Sequence, residues 1–269
     1  MRVLITGGAG FIGSNLARGA LSRGHEVICV DDLSHGRVDN LPHGVEFHEL
    51  DVSVDAFSSL VKDKEPDAIS HHAAQIDVRK AVEDPIRDAR MNILASLNVL
   101  EAAVDAGVES FVFASSGGAI YGEQDCFPAD ESHVTKPLSP YGITKLCVEK
   151  YLDFYRLIHR MRTVSLRYSN VYGPRQDAHG DAGVVAIFSS ALLQGKEARI
   201  FGNGEQTRDY VFVEDVVDAN LRVLSDSSIE GSYNIATAQE TSVNQLYFMM
   251  AKLLNVEPRV TKVDAPAGE

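Results

Sequence analysis

Cysteine is scarce in this chain: Cys29, Cys126 and Cys147 are the three present in 269 residues, widely spaced and without a Cys-x-x-Cys pair. That spacing excludes a disulfide framework and a zinc knuckle, and it makes a reducing compartment the expectation. Long apolar runs are missing too. Although 45% of the residues are hydrophobic, no stretch approaches the roughly 20 apolar residues of a membrane-spanning helix. Met1-Arg2 leads directly into Val3-Leu4-Ile5 and then glycines, unlike a signal peptide, so a cytoplasmic location is expected. Basic charge is also short, with 25 Lys and Arg against 38 Asp and Glu, a formal net charge of −13. Such a field opposes binding to nucleic acid or to an anionic membrane. A small anionic ligand then requires local arginines, lysines or helix N-termini. No metal is expected, because the nine histidines form no His-Glu-x-x-His motif and His71 and His72, neighbours on a strand, point to opposite faces.

What the chain does contain is alternation. Val3 to Thr6, Glu26 to Val30, Val45 to Leu50, Ala68 to His71, Ser110 to Ala114 and Thr163 to Leu166 read as buried strands. Between the fourth and fifth, Ile86, Ala89, Ile93, Leu97 and Leu100 recur at steps of three or four after Pro85, which predicts one amphipathic helix stopped by Gly107. Strand, helix, strand repetition implies right-handed crossovers and a parallel sheet. The expected class is α/β, a Rossmann-type doubly wound parallel sheet with a smaller C-terminal lobe. A change of texture after Gly173-Pro174 puts the boundary near residue 172. Residues 1–172 form the main domain and 173–269 the lobe, with Glu214 to Ser225 and Tyr233 to Ala236 as segments that return to the main sheet.

Directly after the first strand stands Thr6-Gly7-Gly8-Ala9-Gly10-Phe11-Ile12-Gly13, opening a helix. Gly8, Gly10 and Gly13 satisfy G-x-G-x-x-G in the strand-to-helix context that gives the motif meaning. Glycines permit the tight turn and close approach to a pyrophosphate, while the helix N-terminus adds positive potential. Gly7, Gly10, Phe11, Ile12 and Gly13 are therefore candidate cofactor contacts. Asp31 and Asp32 end the second strand, where a carboxylate accepts hydrogen bonds from adenosine ribose hydroxyls, which favours NAD over NADP. Arg37 nearby complicates that preference, since an arginine there suits a 2′-phosphate. Asp51 and Val52, after the third strand, fall beside the adenine in this fold, and a helix-capping role explains Asp51 almost as well.

A second constellation lies further on. Ser139-Pro140 caps and opens a helix, on which Tyr141 and Lys145 share a face, about 6 Å apart along the axis. An ammonium there, together with a cationic nicotinamide, favours the phenolate and yields a general base near neutrality. At the end of the fifth strand, Ser116 is placed to hydrogen-bond a reacting hydroxyl and relay its proton to Tyr141; Ser115 reads equally as structural.

With these residues in view, the chain resembles the extended short-chain dehydrogenase/reductases of the NAD-dependent sugar epimerase/dehydratase family. Matching segments run from Arg2 to about Val217 and include His72-Ala73-Ala74-Gln75, Leu166-Arg167-Tyr168-x-Asn170-Val171-Tyr172-Gly173-Pro174 and Thr207-Arg208-Asp209-Tyr210. The resemblance implies NAD as cofactor, a UDP-sugar as substrate, and 4-epimerisation between UDP-glucose and UDP-galactose through a transient 4-keto sugar. It implies that Ala73, Ala74 and Asn92 face the cofactor and that Asn170 contacts the substrate diphosphate. It further implies that Val184, Val185 and Gly202-Asn203-Gly204 line the nucleotide site, and that Arg208 pairs with a phosphate through its planar fork. Tyr151 and Tyr155, at helical spacing, read as packing; relatives often form a homodimer built from helices, to which such a pair could belong, and no interface residue is assigned from sequence.

Two departures from the family pattern stand out. Many relatives have Ser-Ser-x-Thr-Val-Tyr-Gly where this chain reads Ser115-Ser116-Gly117-Gly118-Ala119-Ile120-Tyr121-Gly122, so alignment from Tyr121 backwards puts Gly117 on the serine; one inserted residue restores Ser116. Relatives also continue for some tens of residues beyond an Arg-x-Gly-Glu segment. Here Pro266 replaces that arginine and the substrate lobe is expected to be C-terminally incomplete. Other readings stay open: a dehydratase or reductase of the same family, or a non-catalytic NAD-binding module. A dehydratase needs an extra acid and base where this chain has Gly117 and Gly118.

Overall fold

Short Val- and Ile-rich runs become strands because both their faces are covered, and the segments joining them become the helices that cover them. The computed structural model describes residues 1–178 and 183–264. In chain order come β1 (Arg2–Thr6), α1 (Phe11–Ser22), β2 (Glu26–Asp31), β3 (Glu46–Glu49), α2 (Asp55–Lys64), β4 (Ala68–His71), α3 (Val78–Glu83) and α4 (Pro85–Ala89). A π turn (Arg90–Leu94) joins α4 to α5 (Ala95–Asp105), followed by β5 (Ser110–Ser116), α6 (Gly117–Ile120), α7 (Pro140–His159), β6 (Arg162–Tyr168) and β7 (Asn170–Tyr172). The remainder comprises α8 (Val184–Leu193), β8 (Ala198–Phe201), β9 (Thr207–Arg208), β10 (Tyr210–Phe212), α9 (Val213–Ser225), β11 (Gly231–Ile235), β12 (Thr241–Ser242), α10 (Val243–Leu254) and β13 (Val260–Val263).

Seven parallel strands form the central sheet in the order β11-β6-β5-β4-β1-β2-β3. The order reverses between β1 and β4, which opens a crevice at their carboxyl ends. Alternate residues of each strand feed opposite cores. Leu4, Ile28, Ile69, Phe111 and Phe113 pack with α2, α5 and α7 on one face. Val3, Ile5, Cys29, Val112 and Val164 pack with α1 and α9 on the other. A Rossmann-type doubly wound α/β sheet is thus the observed fold. The smaller lobe has its own core of Phe188, Leu192, Ile200 and Tyr247, from α8, β8 and α10. The chain nevertheless re-enters the main body: α9 packs in the α1 layer, and β11 pairs with β6 from Gly231 opposite Val164 to Ile235 opposite Tyr168.

One expectation needs correction. The apolar spacing after Pro85 predicted a single helix with Ile86 and Ile93 turned inward, but Ile86 is 66% exposed whereas Asp88 and Asn92 are buried. The π turn holds an extra residue per turn, so the helical face shifts in phase across it. Beyond the turn Leu100 enters the core and Leu97 packs against it, as the spacing predicts; before it the inward face is polar.

A second polar group crosses the sheet edge. Glu149 on α7 accepts from Arg167 Nε (3.0 Å) and Nη2 (2.7 Å) on β6 and from Ser115 Oγ (2.6 Å) on β5. Arg167 Nη1 also donates to the Tyr121 hydroxyl at 2.9 Å. Both charged side chains are buried, so removing one leaves an uncompensated charge out of water. Glu149→Ala is expected to lower unfolding free energy by about 3–5 kcal/mol, read by urea denaturation; stability within a few tenths of wild type would show that the pair is dispensable.

Candidate active site

The glycine loop is constrained by backbone closeness. Gly7 adopts φ +66° and a Cβ there would lie 2.8 Å from the Ala73 nitrogen; a Cβ on Gly13 would lie 2.2 Å from the Gly7 oxygen. Gly10 caps α1 with no side chain in the way, and Phe11 and Ile12 start that helix, so its first N–H groups point into the crevice. Ala73 and Ala74 follow β4 on the facing wall, where Ala73 N donates to Thr6 Oγ1 at 3.2 Å.

Asp31 is buried at the end of β2. Its carboxylate accepts from Ala9 N at 3.0 Å and Leu33 N at 2.9 Å. Burial raises its pKa above the ordinary value, and those backbone donors pull the other way. Each oxygen keeps further lone-pair capacity for hydroxyl donors. Asp32 is exposed and accepts from Ser34 N and Oγ; Asp51 accepts from Ser53 N at 2.8 Å. Val52 sits with its side chain in the core and its carbonyl accepting from Asn98 Nδ2 at 2.6 Å. A cradle without Cβ atoms, an uncapped helix start and a buried carboxylate at the second strand fit a dinucleotide whose ribose carries no 2′-phosphate.

Ser139 Oγ accepts from Gly142 N at 3.1 Å and Pro140 occupies the first turn, as the sequence predicts, so α7 starts where Tyr141 meets the crevice. Ser116 ends β5 next to Tyr141, near enough to lower the pKa of its phenol. Gly117 and Gly118 begin α6 immediately after it. Lys145, one turn along, is buried; its Nζ donates to Ala114 O at 2.9 Å and lies 4.8 Å from the Phe113 ring centre and 5.7 Å from that of Tyr141. Desolvation lowers the ammonium's pKa to about 8, with Asp88 and Glu149 opposing. Burial likewise pushes the Tyr141 phenol up to about 12, with Ser116 acting in the opposite sense. The lysine within this protein does not by itself produce a base near neutrality.

Behind this pair lies a buried polar layer. Asn92 was expected to face the cofactor, yet its side chain is committed to protein: Oδ1 accepts from Gln75 N at 2.8 Å and Nδ2 donates to Gln75 O at 2.9 Å and Asp88 Oδ1 at 3.0 Å. His71 Nδ1 meets Thr6 Oγ1 at 2.7 Å and Nε2 meets Ser96 Oγ at 2.9 Å. Thr6 Oγ1 accepts from two backbone N–H groups and Ser96 Oγ donates to Asn92 O, so a neutral imidazole protonated at Nε2 satisfies every partner. His72 stacks on Tyr168 with ring centres 6.3 Å apart and bonds Ser70 Oγ at 2.9 Å. Sequence reasoning missed Asp88, Thr144 and Glu149. The available signals were Glu149, four residues beyond Lys145, and the polar interruption of the apolar pattern at Asp88.

The candidate substrate residues come from the lobe side. Asn170 follows Tyr168, the register partner of Ser116, by two residues and donates from Nδ2 to Asp209 O at 3.3 Å. Arg208 is exposed on β9 and donates to Thr207 O at 2.7 Å. Val184 and Val185 open α8, and Val185 borders an open cleft of about 490 Å³ with Tyr172, Gln176 and Phe212. Pro266 lies outside the described residues. Asp209 accepts from Thr237 N and Oγ1 at 3.0 and 2.9 Å, which fixes the turn beside Arg208.

The family model described as "NAD dependent epimerase/dehydratase family" matches residues 3–236. The chain belongs to that family. It is 44% identical over 256 residues to a UDP-glucose 4-epimerase of Mycolicibacterium smegmatis, covering 93% of this chain and 82% of the relative. It superposes on a UDP-glucose 4-epimerase of Thermotoga maritima solved with UDP-glucose at a TM-score of 0.96 and 42% identity, covering 100% of this chain and 87% of the other. A Thermus thermophilus UDP-glucose 4-epimerase solved with NAD gives a TM-score of 0.95 and 41% identity, covering 100% and 88%. This member of the family is NAD-dependent.

The buried histidines have a consequence in acid. Burial lowers both pKa values from 6.5 to about 3, so between those pH values the unfolded chain binds more protons than the folded one and stability falls as pH drops. The slope is up to about 1.4 kcal/mol per pH unit for each histidine. Unfolding free energy followed from pH 6.5 to 5 is expected to decline, and His71→Asn to remove one share of the slope; an unchanged slope in the variant would clear His71.

Proposed function

We infer that the chain is an isomerase that interconverts UDP-glucose and UDP-galactose by inverting C4 of the hexose. One observation carries the reading: Ser116, at the end of β5 and the carboxyl edge of the sheet, stands near enough to Tyr141 to act on its phenol, Lys145 is buried one helical turn beyond Tyr141, and glycines follow Ser116 at the next two positions. Serine and tyrosine supply one proton path, which removal and return of the 4-hydroxyl proton require. Elimination of water demands an additional acid and base, and glycines at 117 and 118 transfer no protons. The relatives' names support the same reaction.

Tyr141 receives the proton of the sugar 4-hydroxyl through Ser116, and returns it when the 4-keto sugar is reduced on its opposite face. NAD held at this site would supply the acceptor and donor of the C4 hydride and a positive charge that favours the phenolate. Lys145 adds its ammonium to that field, but in the chain alone burial holds the phenol near 12, so the larger lowering falls to the nicotinamide charge. Gly7, Gly10, Phe11, Ile12 and Gly13 hold the pyrophosphate, Asp31 with Asp32 the adenosine ribose, and Asp51, Val52, Ala73 and Ala74 the adjoining walls. Asn170 and Arg208 bind the substrate diphosphate, and Val184 and Val185 border the uridine. Inversion needs the hexose to turn over while its nucleotide stays anchored, which accords with Arg208, Val184 and Val185 on the lobe (from about residue 173), Asn170 just before it, and chemistry on the main domain.

We place the protein in the cytoplasm as a homodimer. The cysteines are free thiols, and among the described residues no helix is long and apolar enough to cross a membrane. Ile143, Tyr151, Phe154, Leu157 and Ile158 are exposed along α7, with Ile86 and Leu94 exposed on the α4 to π-turn segment that packs beside it. Tyr155, also on α7, is buried and donates to Glu101. Sedimentation analysis is expected to give twice the chain mass and Phe154→Glu the monomer; a monomeric wild type would end the dimer reading.

Purified protein incubated with UDP-galactose and no added NAD is expected to form UDP-glucose, with Tyr141→Phe lowering kcat by at least about 10²-fold. NAD is expected to co-purify, since each cycle regenerates it. A requirement for fresh NAD at every turnover, or full activity in Tyr141→Phe, would defeat the reading.

A further inference from the structure

Asp88 is 1% exposed, on the inward face of a helix whose apolar pattern predicted Ile86 there instead. Gln75 Nε2 donates to Oδ1 at 2.9 Å and Asn92 Nδ2 to Oδ1 at 3.0 Å, and Thr144 Oγ1 lies 3.0 Å from Oδ2, its one proton shared with Tyr141 O at 2.9 Å. Two amide N–H donors on one oxygen and a hydroxyl on the other suit an ionised carboxylate. A buried charge of this kind is costly unless it is fully hydrogen-bonded, and here the donors come from three separate pieces of the site. Gln75 ends the His72-Ala73-Ala74-Gln75 loop that faces the glycine turn, Asn92 lies in the π turn, and Thr144 stands between Tyr141 and Lys145 on α7.

We propose that Asp88 is a positioning residue, a buried carboxylate that locks the turn bearing Tyr141 and Lys145 to the wall of the dinucleotide crevice and sets the pH window in which that pair exchanges protons. The proposal rests on the epimerase reading for its catalytic consequence. Its electrostatic direction follows from sign: the carboxylate favours the Lys145 ammonium and opposes the Tyr141 phenolate, as the perturbations of both groups register. Other titratable groups around it are accounted for. His71 at the end of β4 and His72 just after it are neutral above about pH 3. From α7, Glu149 acts on Lys145 in the same sense and is paired with Arg167. Arg79, Lys80 and Glu83 on α3, and Arg87 and Arg90 on Asp88's own segment, are exposed and act through water, where charges are screened. Asp88 is therefore the nearby carboxylate whose charge is not balanced by a buried cation of its own.

Asp88→Asn keeps the shape and, with the Thr144 hydroxyl reversed, the hydrogen bonds, while deleting the charge. The Lys145 titration, followed by NMR of 13Cε-labelled lysine and assigned with Lys145→Arg, is expected to have its midpoint near 8 in the wild type and to fall by about one pH unit in Asp88→Asn. Both limbs of the kcat profile are expected to move to lower pH by a similar amount, with KM within about twofold. Thr144→Val, which keeps the charge but loses the tether, is expected to lower kcat about tenfold without moving the limbs, and Thr144→Ser to restore it. An Asp88→Asn protein with the Lys145 midpoint and both limbs unmoved would overturn the proposal. Should that variant fail to fold, Thr144→Val decides: wild-type kcat overturns the tether, and a reduced kcat at unchanged KM supports it. A wild type without turnover on UDP-galactose would defeat the epimerase reading alone, since the lysine titration reads Asp88's charge without any substrate.

Discussion

An ammonium held out of water is the constraint around which the candidate site is arranged. Lys145 is buried under the carboxyl edge of the sheet, with a carbonyl oxygen at 2.9 Å and an aromatic face at 4.8 Å as its near partners. A cation in that position is destabilised by the loss of hydration, and two buried carboxylates, Asp88 and Glu149, offset the loss from opposite sides. Each carboxylate must in turn be satisfied. Glu149 takes Arg167 and Ser115, which ties α7 to β5 and β6; Asp88 takes Thr144, Asn92 and Gln75, which ties α7 to the crevice wall. The polar layer is thereby a consequence of burying one lysine.

The same layer explains why the two halves of the crevice keep their separation. Gly7 lies so close to Ala73 that no Cβ fits between them, and Ala73 belongs to the loop that Gln75 and Asn92 fasten. Thr6, at the end of β1, bonds both that loop and His71. Backbone contact on one side and hydrogen bonds on the other leave little freedom for the walls to move relative to Tyr141. Groups assigned to the substrate are fixed less tightly. Asn170 and Arg208 are exposed, on short two-stranded pairings next to a lobe with a separate small core. That contrast suits a proposed reaction in which the cofactor stays and the sugar turns over.

Much of this was legible in the residues. The six expected strands are present, the glycine run stands between β1 and α1, and Ser139, Pro140, Tyr141 and Lys145 fall as the helix-start signals place them. These are local features, governed by strand alternation, glycine freedom and capping chemistry within a few positions. Asp88 was not legible because the pattern around it is read as amphipathic only if every inward residue is apolar. The π turn broke that premise, and Ile86 stayed outside while a carboxylate went in. Asn92 was assigned to the cofactor because its partners, Gln75 and Asp88, meet it only after the helix docks.

The sequence by itself determined the alternation of strands and helices, the place of the glycine turn, and the pairing of a tyrosine with a lysine on one helical face, because each depends on neighbours along the chain. Tertiary structure alone decided the protonation chemistry. Burial holds the phenol near 12 and the lysine near 8, and those values arise from water removed and charges approached across α4, the π turn, α7 and three strands. Desolvation and Coulomb interaction depend on distance in space, which no spacing along the chain encodes.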